Sequence, residues 1–245
     1  MLCASFFFIF RHLKRSSMKP LRGKSMIKRD FTANRTMAKR EFAKTKKVIV
    51  KRIRTILQGV TYHCYTRCHG LRNLLKGRLG RKYFIEAVQM CQAYYGFELI
   101  AAEIVDNHIH IVIRTLPDEV TIARIMQYIK ARIAEKYNRA TGSKGAFWNE
   151  RYGCKIIEES DDPKTYLYRL LWYIGYNPVR KLMSSNPRKN PIGFINCYLT
   201  EGYELPIKIT LHPFFYELGN TFAECVKKFL EYEDAYLRRI DLYFS

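Results

Sequence analysis

Two runs of β-forming residues, Phe97 to Val105 (FELIAAEIV) and His108 to Thr115 (HIHIVIRT), are separated by only Asp106 and Asn107. So short a connection leaves no room for a crossover, so the runs form an antiparallel hairpin around which the rest must be built. In the second run the pleat sends Ile109, Ile111 and Ile113 to one face and His108, His110, Val112 and Arg114 to the other. The isoleucines select the core side. Two imidazoles are left next to each other on the opposite face, about 7 Å apart at Cα, where both can bind one divalent cation.

The flanking segments supply a sheet and its helices. Val60, Tyr62, Cys64 and Thr66 alternate with Thr61, His63, Tyr65 and Arg67 as in a strand. Phe84, Ala87, Val88 and Cys91 fall at helical spacing within Arg81 to Tyr95, and Gly96 is placed to stop that helix. From Thr121 to Arg139, Ile122, Ile125, Met126, Ile129, Ile133 and Tyr137 make one apolar stripe, with Arg124, Lys130, Arg132, Lys136 and Arg139 around it. A last strand lies around Cys154 to Ile157. The order β-α-β-β-α-β predicts an α+β, ferredoxin-like antiparallel sheet with helices on one face and its other face uncovered. A further helix opens at Asp161, Asp162 and Pro163 and runs to about Asn177, because Pro178 disfavours helical conformation in the residue before it. After the Asn/Pro-rich SSNPRKNP the C-terminal extension carries a helix from about Thr221 to Ile240.

Charge then narrows the partners. Lys and Arg number 43 against 22 Asp and Glu, a net +21, which points to a polyanion and first of all to nucleic acid. Residues 1–52 hold 16 Lys or Arg and only Asp30 and Glu41, so residues 1–54 read as a basic, disordered tail that binds phosphates or is simply solvated. Residues 55–185 then form the main domain and 186–245 the C-terminal extension. Seven scattered cysteines fit a reducing cytoplasm rather than a disulfide framework. The cluster His63, Cys64, Cys68 and His69 lacks the paired CxxC spacing of a zinc site. The apolar opening MLCASFFFIF is far short of the roughly 20 residues of a membrane span and has no basic segment before it, so neither a membrane anchor nor a signal peptide is expected.

The helix after Pro163 reads TYLYRLLWYIGYNPVR, with Leu167, Leu170, Leu171 and Ile174 as its core stripe. Tyr173 and Asn177, four apart, share one flank of that stripe with Tyr166 and Arg169. A phenol and amide lining a site and a half-buried aromatic followed by a helix cap both fit this segment.

Four blocks taken in order resemble the single-tyrosine HUH transposases, among them the REP-associated tyrosine transposases and their insertion-sequence relatives. The blocks are GVTYHCYTR (Gly59 to Arg67), VDNHIHIVIRTLP (Val105 to Pro117), FWNERY (Phe147 to Tyr152) and YIGYNPV (Tyr173 to Val179), within a resemblance spanning roughly Thr55 to Lys181. It implies that His108 and His110 bind a divalent metal, Mg²⁺ or Mn²⁺, that Asn177 is the third ligand, and that Tyr173 is the nucleophile. The implied enzyme is a single-stranded DNA endonuclease and strand transferase. It works on hairpin or palindromic elements through a 5′-phosphotyrosine, and a homodimer is left open. The chain departs from the pattern at Asp106, where relatives often have proline before the Asn-His pair.

DNA contacts are expected from Arg124, Lys130, Arg132 and Lys136 on the basic helix, from Arg169, and from Trp148, Arg151 and Tyr152 of FWNERY, a mixture of stacking and phosphate-binding groups. For the aromatics, ordinary packing is the alternative. For the whole chain, a noncatalytic nucleic-acid-binding protein is the competing function, and a replication initiator or relaxase a third.

Overall fold

The pleat of the hairpin and the strands beside it set the order of the sheet. The structure is a computed structural model and describes residues 56–244, so the predicted basic tail lies outside the described residues. Strands β1 (Thr61–Arg67), β2 (Phe97–Val105), β3 (His108–Thr115) and β4 (Gly153–Ile156) form one sheet in the order β2-β3-β1-β4. All three pairings are antiparallel. This is the ferredoxin-like order, and it makes β1 and β3 the central strands.

Helices α1 (Gly77–Tyr94) and α2 (Ile122–Thr141) cover one face. Ile109, Ile111 and Ile113 meet Phe84, Val88, Ile125 and Ile129 there in one continuous core. The Thr121 side chain accepts from the amide of Arg124 at the start of α2, and Gly142, at φ 65°, ends it in the left-handed region that favours glycine. Alternation in β3 and the stripe of α2 thus found each other as their periods require.

The second face is covered, not open. Helix α3 (Pro163–Gly175) opens on Asp162, whose carboxylate accepts from the amide of Thr165 at 3.1 Å, and ends two residues earlier than expected. After Tyr176 the chain restarts as the single turn α4 (Asn177–Arg180), where Pro178 lies in a first turn that needs no N–H from it. Ile100, Ala101 and Val112 of the sheet pack with Leu167, Leu171, Trp172 and Ile174 of α3 and with Phe194, Tyr198, Phe215 and Phe229 of the C-terminal extension. The apolar Ala101 and Val112 share the histidine face and, left bare, would expose surface that burial stabilises by about 25 cal/mol per Å². That is why the face closes.

The extension adds α5 (Ile195–Leu199), α6 (Pro213–Tyr216) and α7 (Phe222–Phe244). It grips α3 at four points. Trp172 Nε1 donates to the Phe229 carbonyl at 2.9 Å, Tyr168 to the Phe214 carbonyl at 2.6 Å, and Tyr176 to Glu233 at 2.6 Å. Arg188 closes on the same Glu233 through both its terminal nitrogens. Gly175 allows the fourth contact: a Cβ there would stand 2.5 Å from Ile195 Cγ1, so only glycine admits this approach of α5.

Candidate active site

Strand β3 delivers both histidines to the covered face, buried, with ring centroids 5.1 Å apart and nearly perpendicular. His108 Nδ1 lies 2.9 Å from Asn107 Oδ1. An amide oxygen only accepts, so Nδ1 carries the hydrogen and Nε2 keeps its lone pair. His110 Nδ1 lies 3.0 Å from Nε2 of His63, which stands on β1. The Nε2 atoms of both His108 and His110 are buried without a hydrogen-bond partner. Burial first, then Arg67, Lys181 and Arg180, pushes His108 down to about 4. Burial, then the neighbouring imidazoles and arginines, also lowers His110 well below the ordinary histidine range. Both are neutral at pH 7, the state a metal ligand requires.

Helix α3 brings Tyr173 to the same place. Its ring stands edge-on to His110, with centroids 5.9 Å apart. Arg180 lies over the Tyr173 ring at 4.3 Å and donates through Nη2 to the Tyr173 carbonyl (3.2 Å) and to Asn177 Oδ1 (2.8 Å). Asn177 is buried and its amide nitrogen has no partner. A carboxamide oxygen has two lone pairs, so Oδ1 can serve Arg180 with one and a cation with the other. Among the described residues no group of three or more His, Cys, Asp or Glu gathers for a metal. The donors that fit a divalent cation here are the two orphaned Nε2 atoms and that amide oxygen, a nitrogen and oxygen set suited to such an ion.

Three neighbours were not singled out from sequence, and a fourth, His63, was weighed there only as part of a zinc cluster. His63 contacts His110, and Arg180 bridges Tyr173 and Asn177. Arg67, paired across β1 and β3 with His108, adds positive charge. Glu103 pairs with His110 across β2 and β3 and is buried, accepting from Asn190 Nδ2 at 3.0 Å and from the amide of Ile104 at 3.1 Å. Burial pushes it up to about 8, so it is protonated at neutral pH. A carboxylate within the apolar stretch LIAAEIV was its signal in the sequence.

The remaining predicted residues lie elsewhere. Arg124, Lys130, Arg132 and Lys136 belong to α2, across the sheet from the histidines, since α2 packs on the isoleucine face. Lys136 pairs with Glu86 and Arg132 with Glu135. Trp148 donates to the Lys130 carbonyl and, like buried Tyr152, packs against the α1 and α2 core. Arg151 and Arg169 are exposed. Cys64 and Cys68 point into the core, away from His63, and His69 is exposed, so the four do not form a cluster.

Residues 56–168 match the family model described as "Transposase IS200 like". This segment belongs to the IS200-like transposase family. The IS200-like match includes the two histidines of β3 and ends five positions before Tyr173. The chain is also similar to a solved REP-associated tyrosine transposase bound to a REP hairpin, at 19% identity over 64% of this chain and 90% of that one, with a TM-score of 0.48. A putative transposase from Deinococcus radiodurans is similar at 19% identity over 43% of this chain and 84% of that one, with a TM-score of 0.34. Neither likeness is high enough to fix the fold of this chain, which rests on its own sheet order. Among curated proteins no relative matches. No described helix is long and apolar enough to cross a membrane.

Proposed function

We propose that this IS200-like protein is a metal-dependent endonuclease and strand transferase for single-stranded DNA, acting on hairpin or palindromic elements in transposition. One observation carries the reading: two buried, neutral histidines with orphaned Nε2 atoms face a tyrosine whose ring lies 5.9 Å from one of them. His108, His110 and Asn177 would hold Mg²⁺ or Mn²⁺, which when bound polarises a phosphate and offsets charge on its oxygens.

The chain's own groups carry the remainder. Tyr173 Oη forms a bond to phosphorus while the bond from phosphorus to the 3′-oxygen breaks, and the tyrosine proton leaves to solvent as the 3′-oxygen gains one. The products are a 5′-phosphotyrosine and a free 3′-OH, and attack by a 3′-OH reverses the step without a nucleotide cofactor. Arg180 holds the tyrosine and amide side by side and, with Arg67 and Lys181, surrounds the site with positive charge that attracts phosphate. All of these residues come from one chain, so a homodimer is not required to complete the site.

The exposed Arg151 and Arg169 and the predicted tail remain proposed DNA contacts, as does α2, which would bind strands passing behind the sheet. Cleavage of a labelled single-stranded hairpin by the purified protein tests the reading. Cleavage with Mn²⁺, lost with EDTA and lost in His108→Ala and His110→Ala, is expected; equal cleavage in EDTA would refute it.

A further inference from the structure

We propose that His63 is a positioning residue for His110, accepting the hydrogen of His110 Nδ1 so that Nε2 stays open to a metal. This rests on the metal reading above. In the pairing of β1 with β3, His63 stands opposite Val112, which puts it diagonally beside His110 on the same face of the central strands. The two rings lie nearly parallel, with 20° between their planes and centroids 5.2 Å apart, and the Nε2 to Nδ1 separation is 3.0 Å. Tyr65 lies 5.6 Å from His63 and 6.2 Å from His110, so the three rings touch one another, and the ring of Tyr65 fits over Gly153 so closely that a Cβ there would come within 2.2 Å. His63 is itself buried within this cluster of rings.

One hydrogen serves a bond between two neutral imidazoles, so there are two arrangements. If His63 donated, His110 Nε2 would carry a hydrogen. That buried atom has no acceptor, and leaving such a donor unpaired is costly. If His110 donates, its Nε2 lone pair is left for a cation, as the oxygen of Asn107 already ensures for His108. The two ligands thus differ: His108 is fixed by a group that only accepts, while His110 depends on a partner that must itself hold the right tautomer. Partners that orient a ligating histidine typically change metal affinity 10- to 100-fold when removed.

The test is Mn²⁺ binding to the full-length protein without DNA, read by the electron paramagnetic resonance signal of free Mn²⁺, for wild type and for His63→Leu, His63→Phe and His63→Gln. Leu and Phe remove the acceptor and are expected to weaken Mn²⁺ binding 10- to 100-fold. Gln keeps an acceptor oxygen and should stay within about threefold of wild type. Wild-type affinity in both Leu and Phe, or equal losses in Gln and Phe, would overturn the proposal. Absence of Mn²⁺ binding by wild type would instead remove the metal reading and the proposal together. If the substitutions spoil folding, long-range ¹H–¹⁵N spectra of wild type with Mg²⁺ decide the matter: a protonated Nδ1 on His110 and an unprotonated Nε2 on His63 are expected, and the reverse pattern would overturn it.

Discussion

Tyr173 stands edge-on to His110, their ring centroids 5.9 Å apart, and Arg180 lies over the tyrosine ring at 4.3 Å. The tyrosine ring thus contacts both an imidazole from the sheet and a guanidinium from the turn that follows its own helix. Its position depends on everything that fixes α3 against the sheet.

Arg180 should therefore matter more to turnover than to folding. Arg180→Ala removes donors to the Tyr173 carbonyl and to Asn177 Oδ1, and loss of such a preorganised group costs about 10²- to 10³-fold in rate. Arg180→Lys keeps the charge but not the planar fork and should recover only part of it. Single-turnover cleavage with saturating DNA checks this; wild-type rates in the alanine variant would count against the role.

The C-terminal extension should be inseparable from the tyrosine helix. Trp172 is fully buried, stacks on Phe229 at 4.8 Å and donates to its carbonyl, so Trp172→Ala should cost about 3–5 kcal/mol in urea unfolding. Gly175→Ala, which must push Ile195 aside, should cost about 1–3 kcal/mol. Unchanged midpoints would mean that the extension does not hold α3.

How much of this was legible follows from the range of the interactions. The limits of β2 and β3, the split of isoleucines from histidines and the cap at Asp162 are local and could be read from periodicity. The cover on the histidine face could not, because Phe194 and Tyr198 lie in segments with no strong pattern and the periodicity of the C-terminal helix that carries Phe229 does not say which surface it meets. His63 was visible as a strand residue, but its bond to His110 depends on the register between β1 and β3. Arg180 was hidden because Pro178 starts a new turn and brings it back over Tyr173.

Acid should loosen the extension through His212. Its Nδ1 accepts from the amide of Phe214 at 3.1 Å, so Nε2 carries the hydrogen and donates to Thr61 Oγ1 at 2.9 Å. Burial, then nearby Arg114, holds His212 down to about 4, with Glu217 opposing. A folded value below the ordinary 6.5 means the unfolded chain binds the extra proton first. The stability contributed is therefore fully present above about pH 6.5 and lost as pH falls toward 4, on the order of 3 kcal/mol in all. His212→Asn keeps an acceptor for Phe214 and should melt with a shallower decline over that window; an identical pH profile would exclude His212 as a cause.

Tyr173→Phe removes one oxygen and little else, so melting temperature, Mn²⁺ binding and DNA affinity should be retained. The most direct measurement is denaturing electrophoresis of the protein after incubation with Mn²⁺ and a single-stranded hairpin labelled downstream of the cleavage point, followed by mass mapping of the adduct. Wild type should give a denaturation-resistant species with the DNA 5′ end on Tyr173, and the Phe variant none. An adduct on Tyr166, Tyr168 or Tyr176, or none on wild type with the palindromes that flank its own gene, would contradict the account, and the latter result would make this chain a noncatalytic DNA-binding protein.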